Sequence, residues 1–270
     1  MRSPFDESGR SGQGVDGVGT THRTARRVLR PLDLPNCRIS EDNPWMAARH
    51  GSERAVELPE ALHAQLYLLA YDRHRRRFCT ERETLFGFAL RAAMLTDLYL
   101  SGFLEDRQGR PCPTDSARHK DPLLQGMVVG IGQRSWGQLI ASDERATRQH
   151  VRQQLEADGW LVVRHHRFAG MIPAQRLGVL DEQMVGGLAD RVTAALHNAM
   201  LGRPAGPRPL AVGLIGVLGQ MSTVLSLDEC SLYQGRLREL ICATIEPIFG
   251  LKQAVEAHHA EMRANLCSGC

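Results

Sequence analysis

Lysine is almost absent from this chain of 270 residues: Lys120 and Lys252 stand alone, and every other basic side chain apart from histidine is an arginine. Aromatic residues make up only 5%, and turn-bounded runs of valine, isoleucine and tyrosine are short, which argues against a sheet-built protein. No uncharged apolar run approaches the roughly 20 residues of a membrane-spanning helix. The first thirty residues lack the apolar segment of a secretory signal. The seven cysteines are odd in number and lack framework spacing, so a cytoplasmic protein with reduced thiols is expected. No GxSxG, HExxH, Walker A or dinucleotide-binding GxGxxG stands in the right setting, so the chain is not expected to be an enzyme. Cys267 and Cys270 have metal-ligand spacing downstream of His258 and His259, but one such pair near the C-terminus is weak. Neither a metal nor a cofactor is expected.

A hydrophobic content of 43% with 23% charged residues is ordinary for a soluble globular protein, and a net charge of +3 names no partner. Residues 1–50 are rich in Gly, Arg, Ser and Asp without periodicity, and read as a disordered tail. A mainly α-helical domain is expected over residues 55–262, with 263–270 as a frayed C-terminus.

The centre of that domain is Leu85–Leu100, LFGFALRAAMLTDLYL, apolar on nearly every side and therefore a buried helix. Its one arginine, Arg91, must find a carboxylate, a set of carbonyls or an anion. Pairing with Asp97 or Glu83, snorkelling to water, and an anionic ligand at a pocket mouth all remain open from spacing alone.

Around this helix the chain falls into order. Pro59 reads as a first-turn residue of a helix carrying Leu62, Leu66 and Leu69. DRHRRRF (72–78) is a charged turn, and FLEDRQGRPCPTD (103–115) a short hairpin turning at Gln108-Gly109. Asp121-Pro122 opens one helix, Ser135–Ala141 is a further turn or two, and Ser142 or Asp143 caps the next, which Gly159 stops. In that last helix Thr147, Val151 and Leu155 form the core stripe, while Arg145, Arg148 and Arg152 share a different face. A hairpin is expected over Trp160–Ile172, turning at His165-His166-Arg167 and stopped by Pro173. A long amphipathic helix (180–201) and a Gly-bearing apolar run (210–225), read as a closely packed helix, come next. One or two helices broken near Pro247 and Gly250 complete the chain.

The segments LPEALHAQLYLLAYDRHRRR, FALRAAMLTDLYLSGFLE, DPLLQGM and RQHVRQQLEADGWL, in that order, resemble the Golgi phosphoprotein 3 family, including its bacterial, mostly actinobacterial, members. The resemblance covers roughly residues 58–225. It implies one mostly α-helical domain with a protruding β-hairpin. It also implies a peripheral, non-enzymatic adaptor, whose eukaryotic relatives bind phosphatidylinositol 4-phosphate on Golgi membranes and retain glycosyltransferases. By that resemblance the lipid-headgroup arginines fall on Arg91, Arg145 and Arg148, and Arg82 stands where the family carries tryptophan. His165, His166, Arg167 and Phe168 fall on the membrane-contacting hairpin, whose tip is apolar in the family and basic here. The expected partner is an anionic phospholipid membrane with a phosphoinositide-like headgroup, with protein clients and a homo-oligomer as further possibilities.

A second reading competes. The helix 144–158 with the hairpin 160–172 is also how a winged-helix DNA-binding regulator reads, with Arg145, Arg148 and Arg152 facing phosphates. It leaves most of the chain beyond the hairpin without a role, so nucleic acid is the less favoured partner.

Overall fold

Short polar side chains start several helices by accepting the N–H groups that a first turn leaves open. Asp121 accepts from Leu123 and Leu124, Asp181 from Gln183 and Met184, while Ser135 and Ser226 form capping boxes with Gln138 and Glu229. The structure, a computed structural model, describes residues 58–80, 82–115, 118–168 and 172–268, without the side chains of 164–168, 172–176 and 266–268. The tail expected over residues 1–50 lies outside the described residues.

Among the described residues the chain is mainly α-helical, with ten helices and three two-stranded hairpins. The order is α1 (Leu62–Leu69), β1 (Tyr71–Asp72), β2 (Arg77–Phe78), α2 (Glu83–Leu100), β3 (Leu104–Arg107) and β4 (Arg110–Pro113). Then come α3 (Pro122–Val129), α4 (Trp136–Ala141), α5 (Glu144–Ala157), β5 (Leu161–Phe168) and β6 (Ile172–Val179). The chain continues through α6 (Glu182–Met200), α7 (Pro207–Leu218), α8 (Leu227–Leu232), α9 (Gln234–Cys242) and α10 (Glu246–Ser268).

Helix α2 is the core: every residue from Leu85 to Leu100 is buried, and α1, α5, α7 and α10 pack around it. Glycines set the closest approaches. A Cβ on Gly87 would stand 2.6 Å from the Glu144 Cβ and 2.8 Å from the Glu144 carbonyl oxygen, so α5 starts directly against α2. The expected close packing of the apolar run is also present. A Cβ on Gly213 would meet Leu196 of α6 at 2.6 Å, and one on Gly219 would meet Ala89 of α2 at 2.8 Å. Helix α7 itself is 12 residues, and no described helix is long and apolar enough to cross a membrane.

Asp97 anchors the other end of α2. One carboxylate oxygen accepts the buried Leu62 N–H at 2.9 Å, and the other accepts from Arg208 at 2.8 Å. Pro59 precedes α1 rather than lying in its first turn, and the orphan N–H of Leu62 is satisfied from α2 instead.

The hairpin at Gln108-Gly109 forms as expected, with both residues in the left-handed region (φ 56° and 78°), the two-residue turn that matches strand twist. Elsewhere expectation and structure differ. The charged stretch 72–78 is a small hairpin pairing Tyr71 with Phe78, in which Asp72 accepts from the His74 and Arg75 amides. The larger hairpin spans Leu161–Val179 rather than 160–172. His165, His166, Arg167 and Phe168 are strand residues paired with Gln175, Ala174, Pro173 and Ile172, and the connection at 169–171 lies outside the described residues. Pro173 sits inside β6, and a two-stranded ribbon tolerates it because each strand is an edge. Pro247 opens α10 in its first turn instead of breaking it, and that helix runs to Ser268 through the stretch expected to fray.

His63 links α1 to α3 and α5: it is fully buried, with Nε2 3.2 Å from Gln154 Oε1 and 3.7 Å from Asp121 Oδ2. Burial lowers its pKa from the ordinary 6.5, outweighing the Asp121 carboxylate that favours the charged ring. The unfolded chain therefore binds a proton that the folded one refuses, and stability falls as pH drops below 6.5 towards the folded value. We expect the melting temperature to fall more between pH 7.5 and 5.5 for the wild type than for His63→Gln. Gly87→Val is expected to cost about 2 kcal/mol in denaturant unfolding, because the added methyls overlap Glu144.

Candidate functional site

Arg91 is 7% exposed, and neither carboxylate considered from its spacing is its partner. Its Nε donates to the Leu139 carbonyl at 2.6 Å, Nη1 to Thr147 Oγ1 at 3.0 Å and Nη2 to Ser142 Oγ at 3.2 Å. The guanidinium thus joins α2 to the end of α4, to the residue that follows it and to the first turns of α5. Burial works against its charged form, Asp143 supports it, and the neighbouring Arg134 opposes it. An arginine keeps its proton through shifts of this kind, so a full positive charge sits beneath α5.

The other expected headgroup residues lie where α2 and α5 begin. Arg82 is the exposed N-cap residue of α2, and Arg145 is exposed in the first turn of α5. Arg148 reaches Glu83 Oε2 at 2.7 Å, and Arg148 together with Arg145 holds the Glu83 carboxyl below its ordinary range. Arg152, a turn further on, pairs with Glu156 at 2.7 Å. Thr147, Val151 and Leu155 are buried beneath this face, as the stripe requires. Arg148 and Arg145 therefore act on Glu83, with Arg82 preceding it in the chain, while the Arg91 guanidinium is bonded towards α4.

That second side opens into a cavity of about 240 Å³ between α3, α4 and α5. Arg91, Thr147 and His150 line it with Arg134, and Met94 and Leu139 supply apolar wall. Arg134 donates to the Ile131 and Gly130 carbonyls and to Ser142 Oγ. Arg134 carried no sequence signal: it stands in a loop, GIGQRS, outside any helical stripe. The expected cap of α5 differs as well. Asp143 occupies the N-cap position in the left-handed region (φ 51°) without a side-chain capping bond, and Ser142 turns its hydroxyl to Leu139 and the two arginines.

The hairpin that carries His165, His166, Arg167 and Phe168 leaves α5 directly, and β6 runs beside β2 of the small basic hairpin. The side chains of those four residues lie outside the described residues. No group of three His, Cys, Asp or Glu side chains is placed to hold a metal among the described residues, and Cys270 lies outside them.

The family model for Golgi phosphoprotein 3 (GPP34) matches residues 62–257, from the first residue of α1 into α10. Comparison with curated proteins gave no match.

The two arginine sets should differ in what they contribute to folding. Arg91→Ala removes the bonds to Leu139, Thr147 and Ser142 and leaves a void under α5, and is expected to cost about 2–4 kcal/mol. Arg145→Ala on the exposed face should stay within about 0.5 kcal/mol of wild type. Urea unfolding of both variants measures the contrast, and equal losses would show that Arg91 is not a structural tie.

Proposed function

The chain belongs to the Golgi phosphoprotein 3 (GPP34) family, and on that footing we propose that it is a peripheral, non-enzymatic adaptor of an anionic membrane surface. The observation that carries the reading is the placing of Arg82, Arg145 and Arg148 where α2 and α5 begin, three arginines beside the first-turn carboxylates of Glu83 and Glu144. Arg82 and Arg145 are exposed and Arg148 is half-buried, and arginines beside two helix N-termini favour an anion on both counts, through forked hydrogen bonds and through the helix dipoles. The small hairpin adds exposed Arg73, Arg75 and Arg76 on the turn that precedes α2. A phosphoinositide-like headgroup, such as that of phosphatidylinositol 4-phosphate, is the ligand the family suggests. The protein would bind it from the cytoplasmic side of a membrane, with protein clients as further partners.

Arg82 replaces an aromatic wall with a charge, so headgroup choice should rest more on charge than on stacking. The half-buried Phe78 and the buried Phe86 are each tilted against Tyr67 with ring centroids 5.5 Å apart, and these rings are the candidates to stand in for that wall. DNA binding through α5 is the weaker reading. Arg148 and Arg152 are each met by a carboxylate, and the family match runs well past the hairpin.

Vesicle flotation tests the proposal. Each basic residue at an anionic leaflet contributes on the order of 1 kcal/mol, so Arg82→Gln/Arg145→Gln/Arg148→Gln should weaken binding by about a hundredfold. The probe is phosphatidylcholine vesicles carrying phosphatidylinositol 4-phosphate, and wild-type binding should weaken as salt rises. A triple variant that floats as well as wild type would falsify the assignment.

A further inference from the structure

Arg91 and Arg134 converge on one oxygen. Nη2 of Arg91 and Nη1 of Arg134 each lie 3.2 Å from Ser142 Oγ, so the two guanidinium groups approach within twice that distance of each other. Ser142 gives its own proton to the Leu139 carbonyl at 2.9 Å, which leaves its hydroxyl fully used by these three bonds. Among the described residues neither arginine has a carboxylate within ion-pair distance; their acceptors are carbonyls and hydroxyls. Two like charges held this close, one of them buried, repel each other, and the carboxylates that act on Arg91, Asp143 and Glu144, do so without touching either guanidinium.

Both guanidinium groups line the 240 Å³ cavity. Of the five N–H groups of a guanidinium, three are taken on each arginine and two are left without a protein acceptor. The cavity is smaller than the roughly 300–1,000 Å³ of a drug-sized ligand site, and suits a single compact oxyanion. Asp143 lines the same cavity and is the one carboxylate there; it is exposed, and as an uncapping N-cap residue its side chain is not tied to α5. His150, two turns along α5 from Asp143, is exposed and lines the cavity as a further donor.

We propose that this cavity binds a phosphate group, with Arg91 and Arg134 as its paired cations and Thr147 and His150 at its edge. A phosphate monoester offers three acceptor oxygens and close to two negative charges, which answers both the free N–H groups and the paired charge. The phosphate chemistry stands apart from the membrane reading; only its delivery on a lipid headgroup rests on that reading. The site lies on the α3 side of α5, away from the Glu83 cluster, so the two faces are separable by mutation.

The test uses the full chain with inorganic phosphate, followed by calorimetric titration and by thermal melting. Wild type and the control Arg236→Gln, on the exposed surface of α9, should bind phosphate alike and melt at higher temperature in its presence. Arg134→Gln should bind roughly tenfold more weakly or worse, since it loses a charge-assisted fork. Gly126→Glu supplies a second route: Gly126 lines the cavity, and a Cβ there meets nothing within 4 Å. A glutamate at that position adds a carboxylate to the site without a clash and should abolish the phosphate response. The melting temperature without phosphate reports whether each variant folds.

The proposal is overturned if wild type does not respond to phosphate, or if both variants keep wild-type affinity. Flotation on phosphatidylcholine vesicles with and without phosphatidylinositol 4-phosphate then identifies the source. Loss of vesicle binding in Arg134→Gln marks a headgroup phosphate, whereas intact vesicle binding with a lost phosphate response marks a free one. Wild type that binds phosphate but floats with no anionic vesicle refutes the membrane reading and leaves the cavity assignment standing.

Discussion

The Arg91 guanidinium, held by the Leu139 carbonyl and the hydroxyls of Thr147 and Ser142, ties the core helix to α4 and α5. Few residues on a helix buried from Leu85 to Leu100 can serve that purpose, because an apolar side chain fills space but fixes no direction. The fork fixes several directions together. It sets where α4 ends, how α5 begins and which way Thr147 faces, and so determines which polar groups surround the cavity beside it. The absence of a carboxylate from its direct partners matters for function, since a buried charge that Asp143 and Glu144 reach only from a distance keeps an appetite for an anion.

Asp97 is the counterpart at the other end of α2. Six residues separate it from Arg91, which on a helix of 3.6 residues per turn leaves the two side chains about 120° apart in direction and about 9 Å apart along the axis. They serve different neighbours for that reason. Asp97 closes the open N-terminus of α1 and binds Arg208 of α7, while Arg91 faces α4 and α5. The two buried charges of the core helix thus orient two sides of the fold, and neither neutralises the other.

The arginines expected to act together are divided by the same geometry. Arg145 and Arg148 act on Glu83, next to Arg82 in the chain, whereas Arg91 passes beneath α5 to meet Arg134 at Ser142. A helix has two flanks beside its buried stripe, and α5 uses both: the arginine face on one and Asp143 and His150 on the other, with Thr147, Val151 and Leu155 between them. Membership of the Golgi phosphoprotein 3 family accounts for the helical body and supports a membrane-facing role. It leaves open how the two flanks divide the work, which depends on this chain's own residues.

Local chemistry alone determined much of this protein. The caps at Asp121, Ser135 and Asp181, the left-handed turn at Gln108-Gly109, the buried stripe of α5 and the all-round burial of α2 follow from side chains within a few residues of each other. Other features needed the tertiary structure because their partners lie far along the chain. Pro247 could break a helix or begin one, and packing of the following turn against Trp136 favours beginning it. His165–Phe168 could be a turn or a strand, and pairing with Ile172–Gln175, a segment that includes Pro173, made them strand. Arg91 had three candidate partners by spacing and took none of the carboxylates, because α4 and α5 bring a carbonyl and two hydroxyls closer. Arg134 had no periodic signal at all, and only the fold places its charge beside that of Arg91. Periodicity reports which side of an element is buried; which charges meet across two elements is decided by how those elements pack.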